Sequence, residues 1–302
     1  MMIASRPAQA WKPTTKITLL FWNSFWRARK NGRLPHCPID CELTSDKARL
    51  KEAAGVVFHI PTTQAVSSVP KFPGQRWVAW SMESDVNYPA LADPTFMKQF
   101  ELTMTYRLDS DVPCPYFGPD TLRDLQTPPR IKTEEAPAVY FARNLRDRSG
   151  RNGYVKELMQ YIRVDSYGRC LRNKELEDDH GRQTKLSTIA RYKFTLAFEN
   201  SISKDYVTEK FFDPLIVGSV PVYLGAPNID DFAPGERCFI NVAHFSGPRA
   251  LAVYLRSLSE DQRSYDEYLS WKRRSVKQRF IEMAELQKID PICRICMKLR
   301  SG

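Results

Sequence analysis

Short apolar runs alternate with polar, helix-compatible stretches along most of the chain. In the first part the runs are Lys16-ITLLFW-Asn23, Gly55-VVFHI-Pro61, Arg76-WVAWSM-Glu83 and Glu101-LTMTY-Arg107. Each is bounded by proline, glycine or charge, which suits strands buried on both faces of a parallel sheet. Ala48 to Ala54 has helical composition, and Asp93-PTFMKQF reads as a helix capped by Asp93 with Pro94 at its first position. Prolines at 113, 115, 119, 128 and 129 then crowd a polar stretch up to about Ala136, which reads as a linker. A second series follows. Strands are expected at Ala138-VYFAR-Asn144, Val164–Tyr167, Phe194-TLAFEN, Val220-PVYL-Gly225 and Phe239-INV. Helices are expected at Gly153–Ile162, Glu209–Val217, Pro248–Leu258 and Asp261–Ile281. Alternating β and α units in both halves predict two doubly wound, Rossmann-like α/β domains, residues 1–135 and 136–280. A C-terminal segment, 281–302, completes the chain. In such folds ligands bind outside the carboxyl ends of the strands, and two domains leave a cleft between them.

Composition narrows the classes. The 302 residues are 42% hydrophobic and 26% charged, as in globular proteins, so disordered and fibrous classes are excluded. The longest apolar run near the N-terminus, Leu19 to Trp22, is too short for a membrane span or a secretory signal. A net charge of +10 admits nucleic acid, anionic membranes or phosphorylated small molecules as partners. The positive residues form no tail, which weakens the nucleic-acid reading.

The densest polar constellation is Phe198 to Lys210, placed between a strand and a helix. Free backbone N–H groups at that helix start, with Lys210 in the first turn and Thr208 as N-cap, suit a phosphate or diphosphate. The plain alternative is an ordinary capped helix. Arg143, Arg146, Arg148 and Arg151 occupy a loop at the same sheet edge, and arginine binds phosphate through paired hydrogen bonds. A solvated basic loop is the plain alternative there. Glu83 closes a strand beside Trp80 and Met82 and suits a general base. The chain has no GxGxxG, Walker A, HExxH or GxSxG motif. His59, in an apolar strand, reads as a core residue, and the histidines form no ligand pattern. Asp109-Ser-Asp111 has the spacing of a metal-binding carboxylate pair but lies in a loop. Cys37/Cys41 and Cys293/Cys296 are two close pairs, compatible with a zinc site or with two disulfides. No Asn-x-Ser/Thr acceptor occurs.

Tyr192-KFTLAFENSISKDYVTEKFFDPLIVGSVPVYLGAPNIDDFAP-Gly235 resembles the signature of the α1,3-fucosyltransferases, which use GDP-fucose. Met82-ES and Thr103-MTYRLDSDVPCPYF resemble that family's acceptor-side motifs. Val164-DSYGRCLRN and Cys293-RIC most resemble its plant core-type branch. The resemblance runs from about Asp40 to Cys296. It implies a GT-B fold, with acceptor on the first domain, GDP-fucose on the second, and the last segment returning toward the first.

The resemblance also implies inverting transfer of fucose to the 3-hydroxyl of GlcNAc, with the innermost GlcNAc of an N-glycan core as acceptor. N-acetyllactosamine as a Lewis-type acceptor and an inactive nucleotide-sugar-binding homologue are the alternatives. No metal is obligatory, no nucleic-acid partner is implied, and no membrane span is expected in this chain. Glu83 matches the proposed base, although Asp85 stands where many members have proline. Arg151 matches the arginine that neutralises the diphosphate, and Asn144 a donor-side asparagine. Tyr206, Glu209 and Lys210 match donor-binding positions, with Glu209 beside the anomeric carbon. Glu199, Asn200, Tyr167 and Gly168 are expected to line the nucleotide-sugar pocket. Pro214, inside the following helix, is expected to kink it or to cost about 3 kcal/mol. The family's lumenal members tie comparable cysteines into disulfides. Pairing of Cys37 or Cys41 with Cys293 or Cys296 would bind the C-terminal end to the first domain. The lack of sequons and of an apolar N-terminus favours a soluble bacterial, cytoplasmic protein over a Golgi lumenal domain without its anchor.

Overall fold

The computed structural model describes residues 16–23, 31–64, 66–145 and 147–301. Two compact units are present: residues 1–114 with 289–302, and residues 115–288.

The first unit holds a seven-stranded sheet. Its strands are β1 (Lys16–Phe21), β2 (Gly32–Arg33), β3 (Asp40–Thr44), β4 (Gly55–His59), β5 (Arg76–Ser81), β6 (Leu102–Thr105) and β7 (Val112–Pro113). Their order is β2-β3-β1-β4-β5-β6-β7, parallel throughout except for β2 against β3. Neighbouring residues on one strand enter opposite layers. Leu19, Val57 and Val78 face one cluster with Ile292, Ile295 and Leu299, while Leu20, Phe58 and Trp77 face another with Leu50 and Phe100. Burial on both faces explains why these strands read as continuous apolar runs. The expected helix at 48–54 is a 3-10 turn, Lys47–Glu52, whose N-cap is Asp46. The short helix α1 (Pro94–Met97) is capped by Asp93, which accepts from the Thr95 amide.

His59 is buried, with Nδ1 2.9 Å from Thr62 Oγ1, and burial lowers its pKa to about 4. The folded state therefore takes up its proton later than the unfolded chain does. The stability that neutral His59 supports should be complete above the ordinary histidine pKa of about 6.5 and fall as pH drops toward 4. Denaturant melts across that range should show a shallower loss in His59→Gln.

The four paired cysteines form two disulfides, Cys37–Cys293 and Cys41–Cys296, rather than a zinc site. They fasten the C-terminal helix to the face of the sheet carrying β1 and β3. Each closes a loop of more than 250 residues in the unfolded chain. Replacing Cys296 by Ser should therefore cost about 2–5 kcal/mol, read from a denaturant melt, and dithiothreitol should lower the wild type similarly.

The second unit holds β8 (Ala138–Tyr140), β9 (Val164–Ser166), β10 (Phe194–Phe198), β11 (Val220–Leu224) and β12 (Ile240–Asn241). The order is β12-β11-β10-β8-β9, all parallel. Its helices are α2 (Pro119–Asp124), α3 (Arg151–Leu158), α4 (Arg182–Ile189), α5 (Glu209–Val217), α6 (Pro248–Glu260), α7 (Gln262–Glu267) and α8 (Gln278–Glu285); α9 (Pro291–Ser301) belongs to the first unit. On one face α3 and α6 bury Val155, Leu158, Leu251 and Leu255 against Tyr140, Leu196 and Val222.

Three expectations change here. The proline-rich linker contains α2, begun by Pro119. The segment around α4 carries a helix where none was expected. The single helix expected over 261–281 is two, separated by a 3-10 turn, Ser270–Arg273. Trp271 is buried in that turn, and the Lys272 ammonium donates to the carbonyls of Leu125, Leu215 and Ile216 at 2.6–3.2 Å. Among the described residues no helix is long and apolar enough to cross a membrane.

Candidate functional site

The site forms at the carboxyl ends of β8, β9 and β10. Loop 143–150 leads from β8 to α3, and its backbone is stitched to the end of β10. The Arg148 amide donates to the Asn200 carbonyl at 2.8 Å, and the Ser149 hydroxyl to the Glu199 carbonyl at 2.6 Å. Gly150, left-handed at φ 73°, turns the chain into α3, and Arg151 is the first residue of that helix. Arg151 is only 2% exposed, and one guanidinium nitrogen donates to the Phe198 carbonyl at 2.8 Å. Its buried Nε has no hydrogen-bond partner among the described residues. Arg146, in the same loop, lies outside the described residues.

After β10 the chain loops to α5. Thr208 caps this helix, and its hydroxyl is 2.9 Å from Glu199 Oε2 and 2.9 Å from Lys210 Nζ. Its amide donates to Glu199 Oε1 at 2.7 Å. Glu199 is fully buried and lies 3.4 Å from the Lys210 ammonium; Glu209 lies 3.3 Å away. Burial alone would lower the Lys210 pKa, but these carboxylates outweigh it and hold the ammonium charged, above the ordinary lysine value. Burial alone would raise the Glu209 carboxyl, and Lys210 and Lys185 outweigh that and hold it below the carboxylate range. Two cations and the amide-rich start of α5 thus face one volume, an arrangement that binds an anion.

That volume is a cavity of about 490 Å³, within the size range of small-molecule sites. Arg151, Asn144, Asn200, Glu209 and Lys210 line it, with Tyr167 and Gly168 on the opposite wall. Glu199 and Tyr206 do not line it. Glu199 supports Thr208 and Lys210 from beneath, and Tyr206 is buried with its ring edge-on to Tyr116. Tyr167 stacks in parallel on Phe141, with centroids 5.1 Å apart. Its hydroxyl is 2.9 Å from that of Tyr192, which donates to buried Asp165 at 2.9 Å. Gly168 passes so close to the segment that follows β8 that a Cβ there would lie 1.9 Å from the Ala142 carbonyl oxygen. Gly168→Ala should therefore displace loop 167–170 and weaken binding of a cavity ligand at least tenfold, as expected of an overpacked site. Titration with GDP checks this.

Pro214 does not break α5. It removes the N–H that would reach the Lys210 carbonyl, but the helix continues to Val217 and ends at left-handed Gly218. A Cβ on Gly218 would also lie 2.6 Å from Pro129. Asp213, buried in the same helix, binds Arg182 at 2.8 Å and Lys185 at 2.9 Å. Arg182, Lys185 and Asp213 line the cavity and went unnoticed in the sequence. A buried aspartate in an otherwise apolar helix, and two cations three residues apart, are the signals that point to them.

In the first unit, Glu83 follows β5. Its amide donates to Ser81 Oγ at 3.0 Å, and Asn87 Nδ2 lies 3.4 Å from its carboxylate. Asp85, in the place of the usual proline, accepts from the Val86 amide at 3.0 Å. Asp109 pairs with Arg107 at 2.7 Å, and Asp111 accepts from the Thr103 amide and hydroxyl, so both carboxylates hold a turn. Among the described residues no three metal-ligating side chains cluster.

The fold is that of the GT-B glycosyltransferases. A solved α1,3-fucosyltransferase with GDP-fucose superposes with a TM-score of 0.64, covering 98% of this chain and 94% of that one at 16% identity. The C-terminal model of glycosyltransferase family 10 (fucosyltransferase) matches residues 131–302, and the fucosyltransferase N-terminal model matches residues 14–117. The chain belongs to glycosyltransferase family 10, the fucosyltransferases. Among its relatives, human GDP-fucose protein O-fucosyltransferase 3 is 34% identical over 281 residues, 87% of this chain and 58% of that protein. The dog protein of the same name is 37% identical over 273 residues, 84% of this chain and 57% of that protein. A putative fucosyltransferase-like protein of Arabidopsis thaliana is 34% identical over 266 residues, 87% of this chain and 48% of that protein. The chain thus spans about half the length of these relatives.

Proposed function

We propose that the protein transfers fucose from GDP-fucose to a hydroxyl of a polypeptide. The observation that carries the reading is the cavity where buried Arg151 and half-buried Lys210 meet the start of α5, as the diphosphate of a nucleotide sugar requires. Relatives named protein O-fucosyltransferases favour a serine or threonine hydroxyl. A second reading, the 3-hydroxyl of GlcNAc in an N-glycan core, is favoured by the Val164-DSYGRCLRN and Cys293-RIC segments.

In this reading Glu83 takes the acceptor proton as the oxygen attacks the anomeric carbon. The bond from that carbon to the β-phosphate oxygen breaks, and GDP leaves with the electron pair. Arg151, Lys210 and the α5 N-terminus stabilise the charge that grows on the leaving group. Glu209, held ionised, faces the oxocarbenium-like carbon. A single displacement converts the β-linked donor to an α-linked product. Arg151 and Lys210 supply the charge that a divalent metal supplies elsewhere, so none is obligatory. The two disulfides favour an oxidising compartment, the lumenal alternative, over a reducing cytoplasm.

Mass spectrometry of products from a threonine-containing protein acceptor, chitobiose and N-acetyllactosamine tests the reading. Fucose on the polypeptide supports it, and fucose on chitobiose alone moves the acceptor to the glycan core. Failure to fucosylate or to hydrolyse GDP-fucose under any condition contradicts it.

A further inference from the structure

A second cavity in unit 115–288, of about 460 Å³, lies against the first and shares Arg182, Glu209 and Asp213 with it. The two differ in charge. The first is lined by five cations and three carboxylates, the second by four carboxylates and one guanidinium. The chain as a whole carries +10, so this acidic hollow runs against the protein's own balance. Asp213 is already matched by Arg182 and Lys185 and Glu209 by Lys210, which leaves Asp120 and Asp124 to set the local field. Arg123 bridges Asp120 and Asp124 at 3.3 and 3.4 Å, but its side chain is 72% exposed and such pairs hold weakly.

The hollow is preformed. Phe117 forms its floor, stacked on Phe280 at 4.3 Å and against Phe212 at 4.6 Å. Gln287 pins the lip through a 2.7 Å bond to the Pro115 carbonyl. The partly buried ring of Tyr116 stands beside it.

We infer that this hollow is an acceptor subsite, which takes a polypeptide segment whose hydroxyl residue is flanked by a basic side chain. The inference rests on the fucosyl-transfer reading. With the diphosphate in the cationic cavity, the transferred sugar lies at the shared wall beside Glu209. A displacement with inversion brings the entering oxygen from the side opposite the leaving phosphate. The neighbouring hollow opens on the shared wall, and its charge repels a second anion while attracting a basic segment. Its aromatic and proline-lined lip suits an extended chain.

The test uses the full chain, GDP, and two short threonine peptides, one with flanking lysines and one with flanking glutamates. The lysine peptide should bind about tenfold more tightly to the wild type, and Asp120→Lys/Asp124→Lys should abolish or reverse that preference. GDP affinity and acceptor-free hydrolysis of GDP-fucose should stay unchanged in the variant, showing that it folds. Intact GDP binding with charge-blind peptide binding overturns this inference alone. So does chitobiose binding that the double variant weakens while peptide binding is untouched. Absence of GDP binding to the wild type overturns the donor reading and takes this inference with it.

Discussion

Lys210→Met should lose turnover of GDP-fucose by about 10²–10³, because it removes a fixed positive charge from the leaving diphosphate. It should also destabilise the protein by about 3–5 kcal/mol, because fully buried Glu199 keeps only the Thr208 hydrogen bonds once its ammonium partner is gone. The two effects are separable. Adding Glu199→Gln removes the stranded charge while keeping an acceptor for Thr208, so the double variant should regain most of the stability and none of the activity. Chemical melts and GDP-release rates on the same three proteins read both. Recovery of activity in the double variant would show that Lys210 acts by supporting the fold and not by holding phosphate.

Glu83→Gln should lower transfer by about 10²–10⁴, the range expected when a general base is lost. Binding of GDP-fucose in the cavity beside Arg151 and Lys210 should be unchanged, since among the described residues all that line it belong to the second unit. The amide is isosteric, and its oxygen can still accept from Asn87, so the loop after β5 should hold its shape. A variant that still transfers at the wild-type rate would remove Glu83 from the mechanism. One that loses GDP-fucose binding would recast it as a structural residue.

The parts of this site that could be read from sequence are those set by local rules. Thr208 as a cap, Lys210 in the first turn and the buried apolar runs before them follow from backbone requirements within a few residues. Most strands were legible because a parallel sheet covered on both faces leaves no polar alternation to obscure them. β3 was not, because Asp40 and Glu42 interrupt its apolar positions. The Glu42 carboxylate is matched instead by Lys16, on the paired strand β1, and by Arg49. The break between α7 and α8 was hidden for a different reason. What replaces helix there is Lys272 binding carbonyls as far away as Leu125, and a tertiary partner leaves no periodic trace. Glu199 illustrates the same limit within the motif itself. Its position was legible, but its task, supporting Thr208 and Lys210 from below the cavity floor, depends on burial that only the folded chain defines. Arg182 and Lys185 reached the site through Asp213, a contact that spans α4 and α5.

Competitive titration of the full chain with GDP, GMP and UDP tests the central claim most directly. If Arg151, Lys210 and the α5 N-terminus hold a diphosphate, GDP should bind about 10²-fold or more tightly than GMP, which lacks the β-phosphate and its charge-assisted hydrogen bonds. If the stacked Tyr167 and Phe141 rings that line the cavity hold the purine, UDP should bind more weakly than GDP. Equal affinity for GDP and GMP, or no binding of GDP, would contradict the account.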